Sequence, residues 1–112
     1  MPNWFRDEEV AGLDRGFVSM LDYARQLAGV PFVITSGYRS PEHNAEIGGV
    51  PDSAHTKGLA VDIRVHNSSC RFLILRALLK VGFRRIELAP HHIHVDIDQD
   101  KPQGVIFFGS SN

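Results

Sequence analysis

Two segments of this chain alternate apolar and polar residues at every second position, and the polar positions carry histidine and aspartate. The first segment is AVDIRV at residues 60–65, and the second is HIHVDID at residues 92–98. Successive side chains of a β-strand point to opposite faces of the sheet, so this alternation predicts two strands with one apolar face each. The apolar faces need a hydrophobic core beneath them, which leaves the polar faces free for chemistry.

A further candidate ligand precedes the first of these strands. His55 lies in the segment SAHTKGLAVD, residues 53–62, and Gly58 allows a sharp turn between His55 and Asp62. Catalytic zinc sites commonly take three nitrogen or oxygen ligands from the protein and leave a fourth position for water or substrate. We therefore predict that His55, Asp62 and His94 bind one Zn²⁺ per chain.

These residues also carry a family resemblance. Ser53-x-His55-x-x-Gly58-x-Ala60-x-Asp62, followed by His92-x-His94, resembles the M15 zinc peptidases. That family includes D-alanyl-D-alanine carboxypeptidases and bacteriophage endolysins that cut peptidoglycan stem peptides. Upstream, SGYRSPEHN at residues 36–44 is similar to the family's other signature, with Arg39 sixteen residues before His55. The resemblance runs from about Val33 to Ile97, extends on to Phe108, and implies a fold of the Hedgehog and D,D-peptidase type.

The resemblance also implies roles around the metal. Arg39 would hold a substrate carboxylate through its guanidinium group, and a structural salt bridge is the alternative. His92 would stabilise the developing oxyanion, and a hydrogen bond that orients a metal ligand is the alternative. Ser53 would hydrogen-bond the substrate backbone or cap its own loop. We predict Arg39 and His92 as catalytic residues, and Arg39 and Ser53 as substrate-binding residues.

The general base is the least determined residue of the site. Some family members place an acid three residues before the final zinc histidine, where this chain has His91. The segment ELAPHHIH, residues 87–94, resembles the zinc site of the Hedgehog signalling domain, in which a glutamate precedes a His-x-His pair. We therefore predict Glu87 as the base, with Asp96 and Asp98 as alternatives. Asp96 can instead orient a histidine ligand.

The spacing of apolar residues and the positions of capping residues, proline and glycine predict the remaining elements. Apolar residues recur at helical spacing from Val10 to Leu27, with Gly29 as the C-cap. Ser40 as N-cap and Pro41 predict a short helix ending near Gly48 and Gly49. The other predicted elements are strands at 32–35, 84–88 and 105–108, and a helix at 71–80 with Phe72, Leu75, Leu78 and Leu79 as its apolar stripe. The fold class is α+β, with a small, largely antiparallel sheet that has helices on one face and zinc on the other.

Length and charge limit the other possibilities. With 112 residues, 43% of them hydrophobic, residues 1–112 are predicted to form a single domain. A net charge of −1 gives no electrostatic reason to bind nucleic acid or an anionic membrane. The single cysteine, Cys70, has no partner for an internal disulfide. We expect a monomer, synthesised in the cytoplasm without a signal peptide, that acts on the cell wall after release or delivery.

The leading hypothesis is a zinc-dependent peptidase that hydrolyses peptide bonds in peptidoglycan stem peptides. Its partner would be the wall peptide, cut at a D-alanyl-D-alanine or an L-alanyl-D-glutamate linkage. One alternative is a zinc-stabilised, catalytically inactive binding module of the Hedgehog type. Another is a virion-associated structural component.

Overall fold

The computed structural model describes residues 3–109, so residues 1, 2 and 110–112 at the ends of the predicted domain lie outside the described residues. The helices are α1 (Arg15–Ala28), α2 (Pro41–Glu46) and α3 (Ser68–Val81), with 3₁₀ turns at Asp7–Glu9 and Ala54–Lys57. The strands are β1 (Ile34–Ser36), β2 (Ala60–Arg64), β3 (Arg85–Leu88), β4 (His92–Asp96) and β5 (Val105–Phe108). The predicted α+β class is confirmed.

The five strands form one mixed sheet in the order β1-β2-β4-β3-β5. Every neighbouring pair is antiparallel except β3 and β5, which run parallel. His94 of β4 lies opposite Asp62 on one side and opposite Glu87 on the other. Residues in register share a face, so the three central strands present Asp62, His94 and Glu87 side by side.

The apolar face of the sheet packs against α1 and α3. One cluster of buried side chains joins the two helices to the central strands, and it includes Phe17, Leu21, Ala24, Ile74, Ala77, Leu78, Val61, Ile63, Ile86, Ile93 and Val95. This layer accounts for the alternation in the two strands, because Val61, Ile63, Ile93 and Val95 all enter it. The polar residues of the same strands therefore face away from the helices.

The first helix begins later than the apolar periodicity indicates. Asp14 is its N-cap, and the Oδ2 atom accepts a hydrogen bond from the backbone N–H of Phe17 at 3.0 Å. Val10 and Leu13 precede the helix, although both contribute to the core. The predicted C-cap is confirmed, since Gly29 adopts a left-handed conformation with φ of 71°.

The third helix differs from its prediction in its start and in its buried face. Asn67 caps it through a 2.8 Å hydrogen bond from the backbone N–H of Cys70, so the helix starts at Ser68 and includes Cys70. Phe72 and Leu79 are 61% and 46% exposed, so their place in the predicted stripe is wrong. The buried residues are Ile74, Ala77 and Leu78, because contact with α1 and the sheet selects a face rotated from that stripe.

The first strand is also displaced from its predicted position. It covers Ile34–Ser36, and Ile34 and Ser36 pair with Ile63 and Asp62 across an irregular register. The bounds of β1 are set by its pairing with β2, and not by the apolar residues that precede β1. The short helix begins at Pro41 as predicted, with the Ser40 Oγ accepting from the His43 N–H at 3.1 Å, and ends at Glu46. Among residues 3–109, no helix has the length and apolar character needed to cross a membrane.

Candidate functional site

The turn before β2 holds His55 in one orientation. Ser53 caps the 3₁₀ turn by accepting a hydrogen bond from the His55 backbone N–H at 3.2 Å. The His55 side chain is buried, and its Nδ1 lies 2.8 Å from the carbonyl oxygen of Gly37. A carbonyl oxygen only accepts, so Nδ1 carries a proton, and in the neutral ring Nε2 then has the free lone pair. This tautomer leaves Nε2 available as a metal ligand.

Gly58 lets the chain return from this turn into β2. Its φ of 72° is left-handed, and a side chain there would overlap the backbone oxygen of Gly12. The Gly58 carbonyl also accepts a 2.8 Å hydrogen bond from the Asp14 N–H. The segment before α1 therefore packs directly on the turn that presents His55.

Three ligand atoms converge beside this turn. The Oδ1 of Asp62 lies 3.4 Å from the Nε2 of His55 and 2.9 Å from the Nδ1 of His94. The ligand atoms of these three residues all lie within 4.8 Å of one another. The structure thus brings together the three predicted ligands, and the group can bind a metal ion.

The electrostatics of the metal-free group favour a charged pair. Burial of His94 disfavours its imidazolium form, but hydrogen bonds to the Asp62 and Asp96 carboxylates outweigh burial and raise the pKa of His94 to about 9. Burial also opposes ionisation of Asp62, yet hydrogen bonds from His55 and His94 hold the pKa of that carboxyl well below its usual range. A metal cation would replace the proton at the Nδ1 of His94.

Asp96 lies behind His94, on the side away from Asp62. Its Oδ2 accepts from the His94 Nε2–H at 2.7 Å and from the Arg85 Nε–H at 3.2 Å. Its Oδ1 accepts from the backbone N–H of Asp98 at 3.1 Å, and only 1% of the residue is exposed. This arrangement leaves the Nδ1 of His94 as its metal-facing atom.

Asp98, the other alternative base, lies outside the cleft that contains the metal group. It pairs with Lys57 at 2.8 Å and with Lys101 at 3.5 Å. Burial raises the pKa of the Asp98 carboxyl, but the Lys57 ammonium outweighs burial and the net pKa is lowered. The Asp98 carboxylate is therefore held in an ion-pair cluster with Lys57 and Lys101.

A cleft of about 270 Å³ opens over the metal group, and Glu87 and His92 form part of its wall. Glu87 is half-buried beside His94, and no hydrogen bond or ion pair among residues 3–109 involves its carboxylate. His92 stands on the same face of β4 as His94, one strand repeat away. The cleft thus places a free carboxylate and a second imidazole beside the three ligands.

Arg39 occupies another wall of the cleft. Its Nη1–H donates to the Oδ1 of Asn44 at 3.1 Å, and the buried Asn44 amide donates in turn to the carbonyl of Val50 at 2.7 Å. The Nε of Arg39 is buried without a hydrogen-bond partner. None of the ion pairs within residues 3–109 includes Arg39, so the salt-bridge alternative finds no partner there.

The chain's similarity to known proteins agrees with this geometry. A family model described as peptidase M15 matches residues 8–98, which include all three metal-group residues. The chain belongs to the peptidase M15 family. This membership indicates a peptidase, and the His55, Asp62 and His94 group could bind a metal ion, on which M15 peptidases generally depend. No curated protein matches this M15 domain.

Sequence reasoning missed four contributors to the M15 site. Gly37 offers only a backbone carbonyl to His55, which leaves no signal in the sequence. Asn44 lies within the predicted signature, but its contact with Arg39 depends on how α2 folds back. Arg85 alternates with Glu87 along β3, so strand periodicity could have placed it on the same face. Phe107 reaches the cleft because β5 pairs with β3.

Proposed function

We propose that this protein is a zinc-dependent peptidase that hydrolyses peptide bonds in peptidoglycan stem peptides. The observation that carries the proposal is the convergence of His55, Asp62 and His94 beside a half-buried Glu87 whose carboxylate is unpaired within residues 3–109. It works as a monomer that reaches the cell wall after release or delivery.

The donor set fits zinc. Two imidazole nitrogens and one carboxylate oxygen are ligands that zinc accepts at about 2.0–2.2 Å, and tetrahedral geometry then separates neighbouring ligand atoms by roughly 3.4 Å. The distances to the Oδ1 of Asp62 are 3.4 Å from His55 and 2.9 Å from His94. The ligand atoms of His55 and His94 lie within 4.8 Å of each other, and hydrogen bonds from His55 to Gly37 and from His94 to Asp96 already orient both rings.

Proton transfer falls to Glu87. A bound zinc ion would lower the pKa of water and polarise the scissile carbonyl. Glu87 accepts a proton from the attacking water and passes it to the leaving amine. This role requires a carboxylate that is not already engaged in a hydrogen bond or an ion pair. His92 donates a hydrogen bond to the carbonyl oxygen as negative charge develops on it.

Arg39 and Ser53 bind the substrate. The Arg39 guanidinium lines the cleft and binds a carboxylate there, while Asn44 holds its Nη1. D-alanyl-D-alanine and L-alanyl-D-glutamate linkages both place a carboxylate near the cleaved bond. The Ser53 Oγ accepts from the His55 N–H, so its own hydroxyl proton is free to donate to the substrate backbone.

Digestion of purified peptidoglycan tests the proposal. We expect the zinc-loaded protein to release fragments with new peptide ends, to lose this activity with chelator and to regain it with added zinc. Mass spectrometry of the fragments identifies the bond. Absence of new ends from a protein with one zinc bound would contradict the proposal and favour a metal-stabilised binding module.

Glu87→Gln tests the general base. We expect zinc to remain bound and kcat to fall roughly 100- to 1,000-fold, the scale of general-base catalysis. Glu46→Gln, which changes an exposed carboxylate of α2, is the matched control and should retain full activity. Full turnover by Glu87→Gln would remove Glu87 from the mechanism.

A further inference from the structure

The last strand of the sheet borders the metal cleft although it lies beyond the family match. The match ends at residue 98, and β5 covers Val105–Phe108. In its parallel pairing with β3, Phe107 is in register with Glu87. Glu87 therefore lies between His94 on one neighbouring strand and Phe107 on the other.

Gly109, directly after β5, lies against the Glu87 side chain. Its backbone N–H donates to the carbonyl of Leu88 at 2.9 Å, which holds the chain against β3. A Cβ atom at position 109 would overlap the Oε2 and Cδ atoms of Glu87 and lie 2.8 Å from Cγ. The Glu87 side chain thus occupies the space that any other residue at 109 would fill.

Position 109 requires glycine because the Glu87 side chain leaves no space for a larger residue, and not because of the backbone conformation there. Gly109 is absent from the glycines of positive φ among the described residues, so an alanine could adopt its backbone. The obstructing atoms belong to the end of a flexible side chain, which can rotate away. An alanine at 109 would therefore displace the Glu87 carboxylate at little cost in stability.

Phe107, in register with Glu87 on β5, is itself held in place by Arg85. The Arg85 guanidinium carbon lies 4.8 Å from the centre of the Phe107 ring, a cation–π contact that holds the aromatic ring in the cleft wall. The Arg85 Nε–H also donates to Asp96, which orients His94. The polar face of β3 is thereby tied to β5 on one side and to the metal group on the other.

We propose that Gly109 is a positioning residue for the Glu87 carboxylate, and that the strand beyond the family match completes the base side of the active site. The inference rests on the proposed role of Glu87 as general base. Gly109 leaves a slot beside β3 that the Glu87 side chain fills, and Glu87 also lines the cleft over the metal group. Gly109 itself takes no part in proton transfer or in ligand binding.

Gly109→Ala tests this proposal by kinetics. We expect kcat to fall about 10- to 100-fold, since a displaced base loses much of its effect. KM, zinc content and the melting temperature should stay at wild-type values. Phe108→Ala is the matched control, because Phe108 is 87% exposed and its register places it on the opposite face of β5. It should leave kcat unchanged.

Making Gly109→Ala in a second variant, changed at Glu87, distinguishes a positioning role from a general loss of activity. Glu87→Ala removes the Oε2, Cδ and Cγ atoms that a Cβ at position 109 would meet, and leaves a low residual kcat. In that background, Gly109→Ala should change kcat less than about twofold. An equal loss in both backgrounds, or a Gly109→Ala variant with wild-type kcat, would overturn the proposal.

A direct observation of the carboxylate makes the test independent of activity. We expect the ¹³C chemical shift of the labelled Glu87 carboxyl, measured at one fixed pH, to differ between Gly109→Ala and wild type and to stay unchanged in Phe108→Ala. If wild type cleaves no wall peptide but the Gly109→Ala chemical shift changes, positioning stands and the proposed function fails. An unchanged chemical shift would refute the positioning role whether or not the protein is active.

Discussion

The two ends of the cleft differ in how completely their side chains are held. At the metal end, His55 and His94 each use one ring nitrogen for a fixed acceptor, Gly37 or Asp96, and direct the other toward Asp62. At the substrate end, Glu87 has no polar partner within residues 3–109, and Arg39 keeps a buried Nε–H unpaired.

This difference follows from what each end must bind. A metal ion needs ligands fixed before it arrives, because rearranging them would consume binding energy. A substrate supplies its own polar groups, so the residues that meet it must keep hydrogen-bonding capacity in reserve. Changes at the metal end should therefore remove zinc, whereas changes at the substrate end should spare zinc and alter catalysis or binding.

The largest effect is expected from Asp62→Ala. Asp62 contacts both histidines of the metal group, so its loss removes a ligand and the acceptor that aligns them. We expect zinc affinity to fall at least about 1,000-fold, or about 4 kcal/mol, and activity to fall with it. Competition titration with a chromophoric chelator measures the affinity. Asp100→Ala, at an exposed carboxylate, is the control. Unchanged zinc affinity would exclude Asp62 as a ligand.

A smaller effect at the same end is expected from Asp96→Asn. The substitution keeps the shape but removes the charge that accepts from His94 and Arg85, so the His94 Nδ1 becomes less basic. Zinc affinity should fall about 10- to 100-fold. Asp22→Asn is the control, since that buried carboxylate accepts from the Trp4 N–H far from the cleft. If Asp96→Asn instead abolished turnover with zinc fully bound, Asp96 would replace Glu87 as the candidate base.

Arg39→Ala tests the substrate end. We expect KM for wall peptides to rise about tenfold, the equivalent of one charge-assisted hydrogen bond of about 1.5 kcal/mol, with zinc content unchanged. Arg64→Ala removes an exposed arginine of the same sheet and should leave KM unaltered. Steady-state kinetics with zinc quantification separates the two ends. Loss of zinc from Arg39→Ala would show that the ends are not independent.

The smallest effect is a pH dependence of the metal-free protein. The pKa of His94 is raised from 6.5 to about 9, so its contribution to stability is complete below pH 6.5 and is lost as pH rises through 9. We therefore expect the melting temperature of the metal-free protein to fall as the pH rises over this range. Zinc competes with the His94 proton, so the zinc-loaded protein should gain stability relative to the metal-free form as pH rises.

Calorimetry of both forms measures this dependence. His94→Gln should remove most of the decrease in the metal-free protein, whereas His66→Gln, at an exposed histidine, should retain it. A decrease of the same size in His94→Gln would assign the titration to another group.

The polar–apolar alternation predicted the central strands well, because burial of one face leaves a period-two record in the sequence. β2 ends one residue and β4 two residues before the ends of their alternating segments, and their polar faces carry Asp62 and His94 as expected. Helix faces were harder to predict. In α3, apolar residues occur on more than one side, so only packing against α1 could select Ile74 and Ala77 over Phe72.

By itself, the sequence determined which residue types meet in the candidate metal group, since ligand chemistry and strand periodicity are both local properties of the chain. Only the tertiary structure distinguishes the surroundings of the three candidate acids. Asp96 is occupied by Arg85 and His94, and Asp98 by Lys57, which is distant in sequence, whereas Glu87 keeps its carboxylate unpaired within residues 3–109. Whether a carboxylate is free depends on which donors the fold brings to it, and those donors come from other elements of the chain.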